Sequence, residues 1–91
     1  MKSRRTKRFK ELLDSLPWDI QSTAKRKFRL WQENPSHPSL HFKPIEKTKA
    51  SLSPLYEIRI NITYRAVCFR DSDTYVWVWI GHHGEFDKLI F

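Results

Sequence analysis

Cysteine is almost absent from this 91-residue sequence, in which Cys68 is the only one. A single cysteine cannot form an internal disulfide, which fits a reducing cytoplasm. Because Cys68 lies inside an apolar, strand-like stretch, we interpret it as a small buried residue rather than a nucleophile. The chain also lacks an apolar run long enough to span a bilayer, and no signal-peptide segment follows its basic start. We therefore predict a cytoplasmic protein without a membrane partner.

The motifs that usually mark enzymes and cofactor sites are also missing. The sequence has no glycine-rich phosphate loop, no G-x-S-x-G elbow and no pair of carboxylates at a persuasive spacing. His82 and His83 are adjacent, and in a strand they would point to opposite sides, so we do not expect them to share a metal ion. We predict neither a metal nor a cofactor.

Negative charge is scarce relative to positive charge. The chain has 17 Lys and Arg against 10 Asp and Glu, with a net charge of +7. Lys and Arg dominate the first ten residues. An excess this large favours a polyanionic partner, namely nucleic acid, an anionic membrane surface or an acidic protein. The plainer interpretation is a small domain with a basic tail.

What the chain does have is aromatic residues: four Trp, six Phe and three Tyr. Aromatic side chains fill a small core efficiently, so most of them are predicted to be structural. The length accommodates one domain, which we place at residues 1–91.

Two helices are predicted in the N-terminal half. Apolar residues recur at helical spacing in a first segment: Phe9, Leu12, Leu13 and Leu16. They do so again in a second segment: Ile20, Ala24, Phe28 and Trp31. Pro17 separates the two helices, because the residue before a proline is disfavoured in the helical region. The result is a helical hairpin whose apolar faces need a sheet to cover.

The remainder of the chain shows strand periodicity. Residues 40–45 alternate and are interpreted as an edge strand, and residues 56–62 alternate apolar with polar side chains. Residues 64–70 and 75–80 are β-favouring and flank a turn signal at 71–74. Residues 85–91 have helical spacing. These patterns predict an α+β domain, a helical hairpin on a mainly antiparallel sheet of four strands; residues 2–6 are either a fifth, edge strand or a disordered basic arm.

Basic side chains are predicted to converge on this sheet. Lys43, Arg59, Arg65, His82 and His83 come from successive segments that a meander places side by side. A guanidinium group suits phosphate, because its planar fork donates two parallel charge-assisted hydrogen bonds.

These residue types match the needs of RNA cleavage by the RNA's own 2′-hydroxyl. That reaction needs a base for the hydroxyl proton, positive charge for the pentavalent phosphorane and an acid for the leaving 5′-oxygen. A histidine, a glutamate and two arginines are side chains that can supply this base, this positive charge and this acid. The plainer interpretation is that strand arginines are solvated or paired with a neighbour such as Glu57.

In their order and spacing, four segments resemble the RelE/ParE superfamily of bacterial toxins from type II toxin–antitoxin modules. They are F-K-E-L-L-D-S-L-P, N-P-S-H-P-S-L-H-F-K-P-I-E, Y-E-I-R-I-N-I-T-Y-R-A-V and V-W-I-G-H-H-G-E-F-D-K-L. The resemblance implies a small basic α+β protein that is neutralised by an acidic antitoxin. It implies a toxin that cleaves mRNA on the ribosome without a metal. The ParE branch instead inhibits DNA gyrase, and a non-catalytic or decayed toxin that only binds its antitoxin is a further alternative.

The resemblance also implies roles for catalytic residues. Arg65 matches a phosphate-stabilising arginine, and Arg59 lies on a strand where relatives carry basic residues. His83 stands where relatives place an arginine or a catalytic histidine, so His83, or His82, is the expected general acid. Glu57 stands where a relative has lysine, and either it or a histidine is the expected base.

Four further residues are expected to bind RNA. Lys43, together with Lys47 and Lys49 of the following loop, would hold the RNA backbone. Relatives often stack a tyrosine on a base just beyond the histidine corner, and the nearest aromatic residue here is Phe86.

Overall fold

Three α-helices and five strands make up residues 2–45 and 55–90, which this computed structural model describes. In chain order they are β1 (Lys2–Arg5), α1 (Lys7–Asp14), α2 (Trp18–Glu33), a 3-10 turn (Pro38–Leu40), β2 (Lys43–Ile45), β3 (Leu55–Arg59), β4 (Tyr64–Asp71), β5 (Thr74–His82) and α3 (His83–Ile90). The predicted α+β class is confirmed. None of these helices is long and apolar enough to cross a membrane.

The strands form one sheet in the order β1-β5-β4-β3-β2. Strands β2 to β5 are the predicted antiparallel meander, and the β4–β5 turn falls at Ser72 and Asp73 as expected. β1 pairs in parallel with β5, so the N-terminal segment is a fifth strand rather than a disordered arm. Parallel pairing requires a long connection between its strands, which the helical hairpin and the meander supply.

Two predicted strands are shorter than the alternation suggested. Residues 38–40 form a 3-10 turn, so β2 begins at Lys43 rather than at residue 40. The His37 ring accepts the backbone N–H of Ser39 at its Nδ1 (3.2 Å), and His41 adopts a left-handed conformation with φ of 47°. A side chain that bonds nearby backbone offers the chain an alternative to a strand.

β3 likewise ends at Arg59 instead of continuing to residue 62. The Asn61 Oδ1 atom accepts the backbone N–H groups of Thr63 and Tyr64, each at 2.8 Å. This local bonding closes a turn in the middle of the alternating pattern. Ile62, which the alternation placed on the core side of a strand, is 80% exposed on that turn.

Side-chain hydrogen bonds join the start of α1 to the sheet and α1 to α2. Thr6 accepts the Phe9 N–H at its Oγ1 (3.1 Å), which caps α1, and the same hydroxyl donates to the Trp77 carbonyl (3.0 Å). At the other end of α1, Gln21 donates from Nε2 to the Leu16 carbonyl at 2.8 Å. These bonds satisfy helix-end groups that would otherwise lack partners.

The core lies between the helices and one face of the sheet, and Trp31 is at its centre. Trp31 makes edge-to-face contacts with Phe42, Tyr75 and Trp77 at centroid distances of 5.8, 5.3 and 5.1 Å. Such contacts are favourable beyond the area they bury. No polar or charged residue in the described ranges is buried, so the interior of this core consists of apolar and aromatic side chains.

Trp31 and Trp18 form a matched pair for testing that packing, since Trp31 is fully buried and Trp18 is 80% exposed. We expect Trp31→Ala to lower the free energy of unfolding by about 3–5 kcal/mol, because it removes packing and leaves a cavity. Trp18→Ala should change it by less than about 0.5 kcal/mol. Urea unfolding followed by circular dichroism measures both. Equal effects would contradict this description of the core.

Cys68 is fully buried on β4, as predicted. Burial raises the pKa of its thiol from 9.0 to about 12. We expect no labelling by a disulfide reagent at pH 8 in the folded protein, and immediate labelling in urea. Because the thiol ionises more readily in the unfolded chain, stability should fall as the pH rises from about 9 to 12. Rapid labelling of the folded protein would contradict the burial.

Candidate functional site

The pairing of β3 with β4 brings two arginines together. Arg59 lies directly opposite Arg65, and Arg65 in turn lies opposite Gly81 of β5. The neighbouring pair, Ile58 and Ala66, is fully buried against the helices. Since successive residues of a strand point to opposite faces, both arginines lie on the face of the sheet that is turned away from α1 and α2. We call this surface the arginine face.

The turn before β4 holds the guanidinium group of Arg65. Its Nη1 donates to the carbonyl oxygens of Asn61 (2.6 Å) and Tyr64 (3.0 Å). Asn61 also organises the turn through its side chain. The same short segment therefore both ends β3 and orients Arg65, which limits the conformational freedom of that side chain.

Arg59 is placed less favourably. Its Nε is buried and has no hydrogen-bond partner within the described residues. An unsatisfied buried donor costs about 1–3 kcal/mol, and like charges directly opposite on neighbouring strands repel each other. An anion held between Arg59 and Arg65 would offset both costs, so this arrangement is chemically suited to phosphate.

Glu57 lies on the arginine face, because it is two residues before Arg59 on β3. Its carboxylate forms an ion pair with Lys43 of β2 (3.9 Å), and the Glu57 side chain is 21% exposed. The plainer sequence interpretation paired Glu57 with an arginine, whereas its ion partner is Lys43. Glu57, the predicted base, and Lys43, which was predicted to bind RNA, therefore form an ion pair with each other.

The two histidines lie where β5 meets α3. The backbone N–H of His83 donates to the Thr63 carbonyl (3.0 Å), which ties the start of α3 to the turn that holds Arg65. The His82 ring accepts the Gly84 N–H at Nδ1 (2.9 Å) and stacks on the His83 ring at 4.9 Å and 19°. The expectation that the rings point to opposite sides is wrong, because the pair spans a strand end instead of lying within a strand.

Phe86 does not have the position that was expected of it. Its side chain is 7% exposed and packs on Trp79 at 5.0 Å between ring centroids. Trp79 in turn lies over Gly81, where a Cβ atom would come within 2.8 Å of the indole ring. The Phe86 ring therefore packs between α3 and the end of the sheet, where it is not available for stacking on an RNA base.

The remaining predictions concern loop lysines and metals. Lys47 and Lys49 lie outside the described residues. Within residues 2–45 and 55–90, no group of three or more His, Cys, Asp or Glu side chains is arranged to hold a metal ion. Sequence reasoning missed the roles of Asn61 and Thr63, although asparagine is depleted in strands and favours turns, which was a usable signal.

Solved structures of toxin–antitoxin complexes share this fold. A chain of the archaeal RelE–RelB complex from Pyrococcus horikoshii matches with a TM-score of 0.68 and 16% identity, over 91% of this chain and 94% of that chain. A chain of the RelB–RelE complex from Methanococcus jannaschii matches with 0.69 and 22%, over 93% and 95%. The RelBE2 complex from Mycobacterium tuberculosis matches with 0.67 and 23%, over 89% and 95%.

No protein-family model matches the sequence, and neither does any curated protein. The similarity of this chain to known proteins is therefore structural. Sequence identities of 16–23% show a RelE-like fold and no more.

The stability of the folded state should not depend on Arg59. We expect Arg59→Met to leave the free energy of unfolding unchanged or to raise it by up to about 2 kcal/mol, because it removes a buried donor and a repelled charge. Arg70→Met is the control, since Arg70 of β4 bonds the Ser72 carbonyl at 2.9 Å and lies 5.8 Å from the Tyr75 ring centroid. Urea unfolding compares the two, and a marked loss of stability in Arg59→Met would refute this interpretation.

Proposed function

We propose that this protein is a RelE-type toxin that cleaves ribosome-bound mRNA in the cytoplasm. The observation that carries the proposal is the cross-strand pairing of Arg59 with Arg65 on a RelE-like fold. The buried Arg59 Nε, which has no acceptor among residues 2–45 and 55–90, supports it, because a phosphate oxygen could accept this hydrogen bond.

The chemistry assigns one task to each group. Glu57, on the same face as the arginines, takes the proton of the RNA 2′-hydroxyl, and the 2′-oxygen forms a bond to phosphorus. Arg59 and Arg65 stabilise the added negative charge of the phosphorane. His83 gives a proton to the 5′-oxygen as the bond between phosphorus and that oxygen breaks. The products are a 2′,3′-cyclic phosphate and a free 5′-hydroxyl, and no external reactant is needed.

His82 and Lys43 have supporting tasks in this proposal. His82 stacks on His83 and caps the start of α3, so it orients the acid. Lys43 holds Glu57 in the absence of RNA and contacts the RNA backbone when it binds.

The partner proposed for regulation is an acidic antitoxin. The net charge of +7 makes such a pairing electrostatically favourable. Solved structures with the same fold include RelE–RelB and RelBE2 complexes, and this likeness to RelE is our reason for proposing RNA cleavage ahead of inhibition of DNA gyrase.

The decisive experiment is in vitro translation with the purified protein, followed by mapping of message ends. We expect cleavage by the parent, a loss of about 10²–10³-fold in Arg65→Ala and of about 10²–10⁴-fold in His83→Ala. Arg70→Ala is the matched control, since it removes an arginine from the other end of the same strand and should retain activity.

Two results would overturn the proposal. The first is an intact message after incubation with the parent protein. The second is Arg65→Ala cutting as well as Arg70→Ala. If induction in cells stops DNA synthesis before translation, gyrase inhibition is the better account.

A further inference from the structure

The hairpin that joins β3 to β4 extends one residue pair beyond the two arginines. The Ile60 N–H donates to the Tyr64 carbonyl (3.0 Å), so a short tip closes the hairpin. Ile62 is the middle residue of that tip, three residues after Arg59 and three before Arg65. Three residues span at most about 11 Å, so the Ile62 backbone lies within that distance of both arginines.

The side chain of Ile62 is exposed to water. Ile62 and Trp18, each 80% exposed, are the large hydrophobic residues that lie open among the described residues, whereas neighbouring Ile60 is only 1% exposed. Contact of an isoleucine side chain with water is unfavourable, and packing on another apolar surface would relieve it. Single exposed apolar residues are common, however, so exposure alone does not identify a site.

The second feature of the tip is that hydrogen bonds fix it on both sides of Ile62. Asn61 accepts the Thr63 N–H at its Oδ1 (2.8 Å), and its carbonyl accepts a hydrogen bond from Arg65 Nη1 (2.6 Å). The Thr63 carbonyl accepts the His83 N–H (3.0 Å). Ile62 therefore lies between the residue that holds Arg65 and the residue that holds the start of α3. A side chain on such a fixed backbone loses little freedom when a ligand packs on it.

The ligand proposed for the arginine face offers a surface that matches this side chain. When Arg59 and Arg65 hold a phosphate of single-stranded RNA, the adjoining bases are the nearest flat, weakly polar surfaces of that strand. Every base has such a face, so packing on it does not depend on sequence. Phe86 is buried against Trp79 and is not available for this contact.

We propose that the tip of the β3–β4 hairpin is a base-binding subsite. The Ile62 side chain packs on the face of a base that adjoins the phosphate held by Arg59 and Arg65. This inference rests on the proposed function, because it takes RNA as the ligand of the arginine face. Ile62 binds the substrate and takes no part in proton transfer, so it lowers KM and leaves kcat almost unchanged.

NMR titration of the full chain, labelled with ¹³C in the isoleucine δ1-methyl groups, tests the proposal. The probe is a ten-nucleotide single-stranded RNA with 2′-O-methyl groups, which cannot be cleaved through the 2′-oxygen. We expect ring currents of its bases to move the Ile62 methyl signal upfield, while the signal of fully buried Ile58 stays in place. The Ile62→Leu variant, which lacks this signal, assigns it.

Two comparison ligands separate a base contact from other contacts. An abasic oligonucleotide of equal length carries phosphates without bases, and it should shift the side-chain signals of Arg59 and Arg65 but not the Ile62 methyl signal. A ten-residue peptide alternating glutamate and valine represents an acidic protein partner, and it should leave the Ile62 signal in place. A larger shift with the peptide than with RNA would assign Ile62 to a protein interface and overturn the proposal.

Substitutions provide a kinetic test in the translation assay. We expect Ile62→Ala to raise KM about tenfold and to change kcat by less than about twofold, because the base contact is the same before and during the reaction. Ile62→Phe restores an apolar surface and should keep KM within about twofold of the parent. Trp18→Ala is the matched control, since it removes an equally exposed side chain at the start of α2. Urea unfolding midpoints should be the same for all three variants.

Two results would overturn this inference. The first is an RNA-induced shift of the Ile62 methyl signal no larger than that of Ile58, and the second is the same KM in Ile62→Ala as in Trp18→Ala. Failure here is distinguishable from failure of the proposed function. Message cleavage without a shift of the Ile62 signal refutes the base contact alone. A base-dependent shift without cleavage supports the contact and refutes the nuclease.

Discussion

The register between β3 and β4 is the constraint on which the rest of this structure depends. Ile58 and Ala66 are paired and buried against the helices, so the next pair, Arg59 and Arg65, must lie on the opposite face. A slip of β3 by one residue would turn Arg59 towards the core and Ile58 towards the opposite face, which is strongly unfavourable. The hydrophobic core thereby dictates on which face of the sheet the arginines lie.

This arrangement is unfavourable for the folded chain by itself. Two like charges face each other across neighbouring strands, and the Arg59 Nε is buried without a partner in the described residues. Folded proteins commonly carry such locally unfavourable groups at functional sites, where a ligand compensates for them. The arginine face is therefore a surface that a bound phosphate would stabilise.

Turns and caps orient the catalytic candidates that the strands bring together. Asn61 closes the turn that holds Arg65, and Thr63 anchors the first residue of α3. His82 then caps that helix and stacks on His83. A RelE-like fold therefore provides the scaffold, and a few local hydrogen bonds decide how the functional side chains point.

The sequence by itself determined the helical hairpin, the meander and the burial of Cys68, because the periodicity of apolar residues follows directly from which face must be buried. It also indicated a shared surface for Arg59 and Arg65. Only the tertiary structure decided that residues 2–5 join the sheet, that Phe86 packs under α3 and that the histidine rings stack. Those outcomes depend on contacts between residues far apart in the chain, or on hydrogen bonds of single side chains at strand ends. Neither leaves a periodic signal in the sequence.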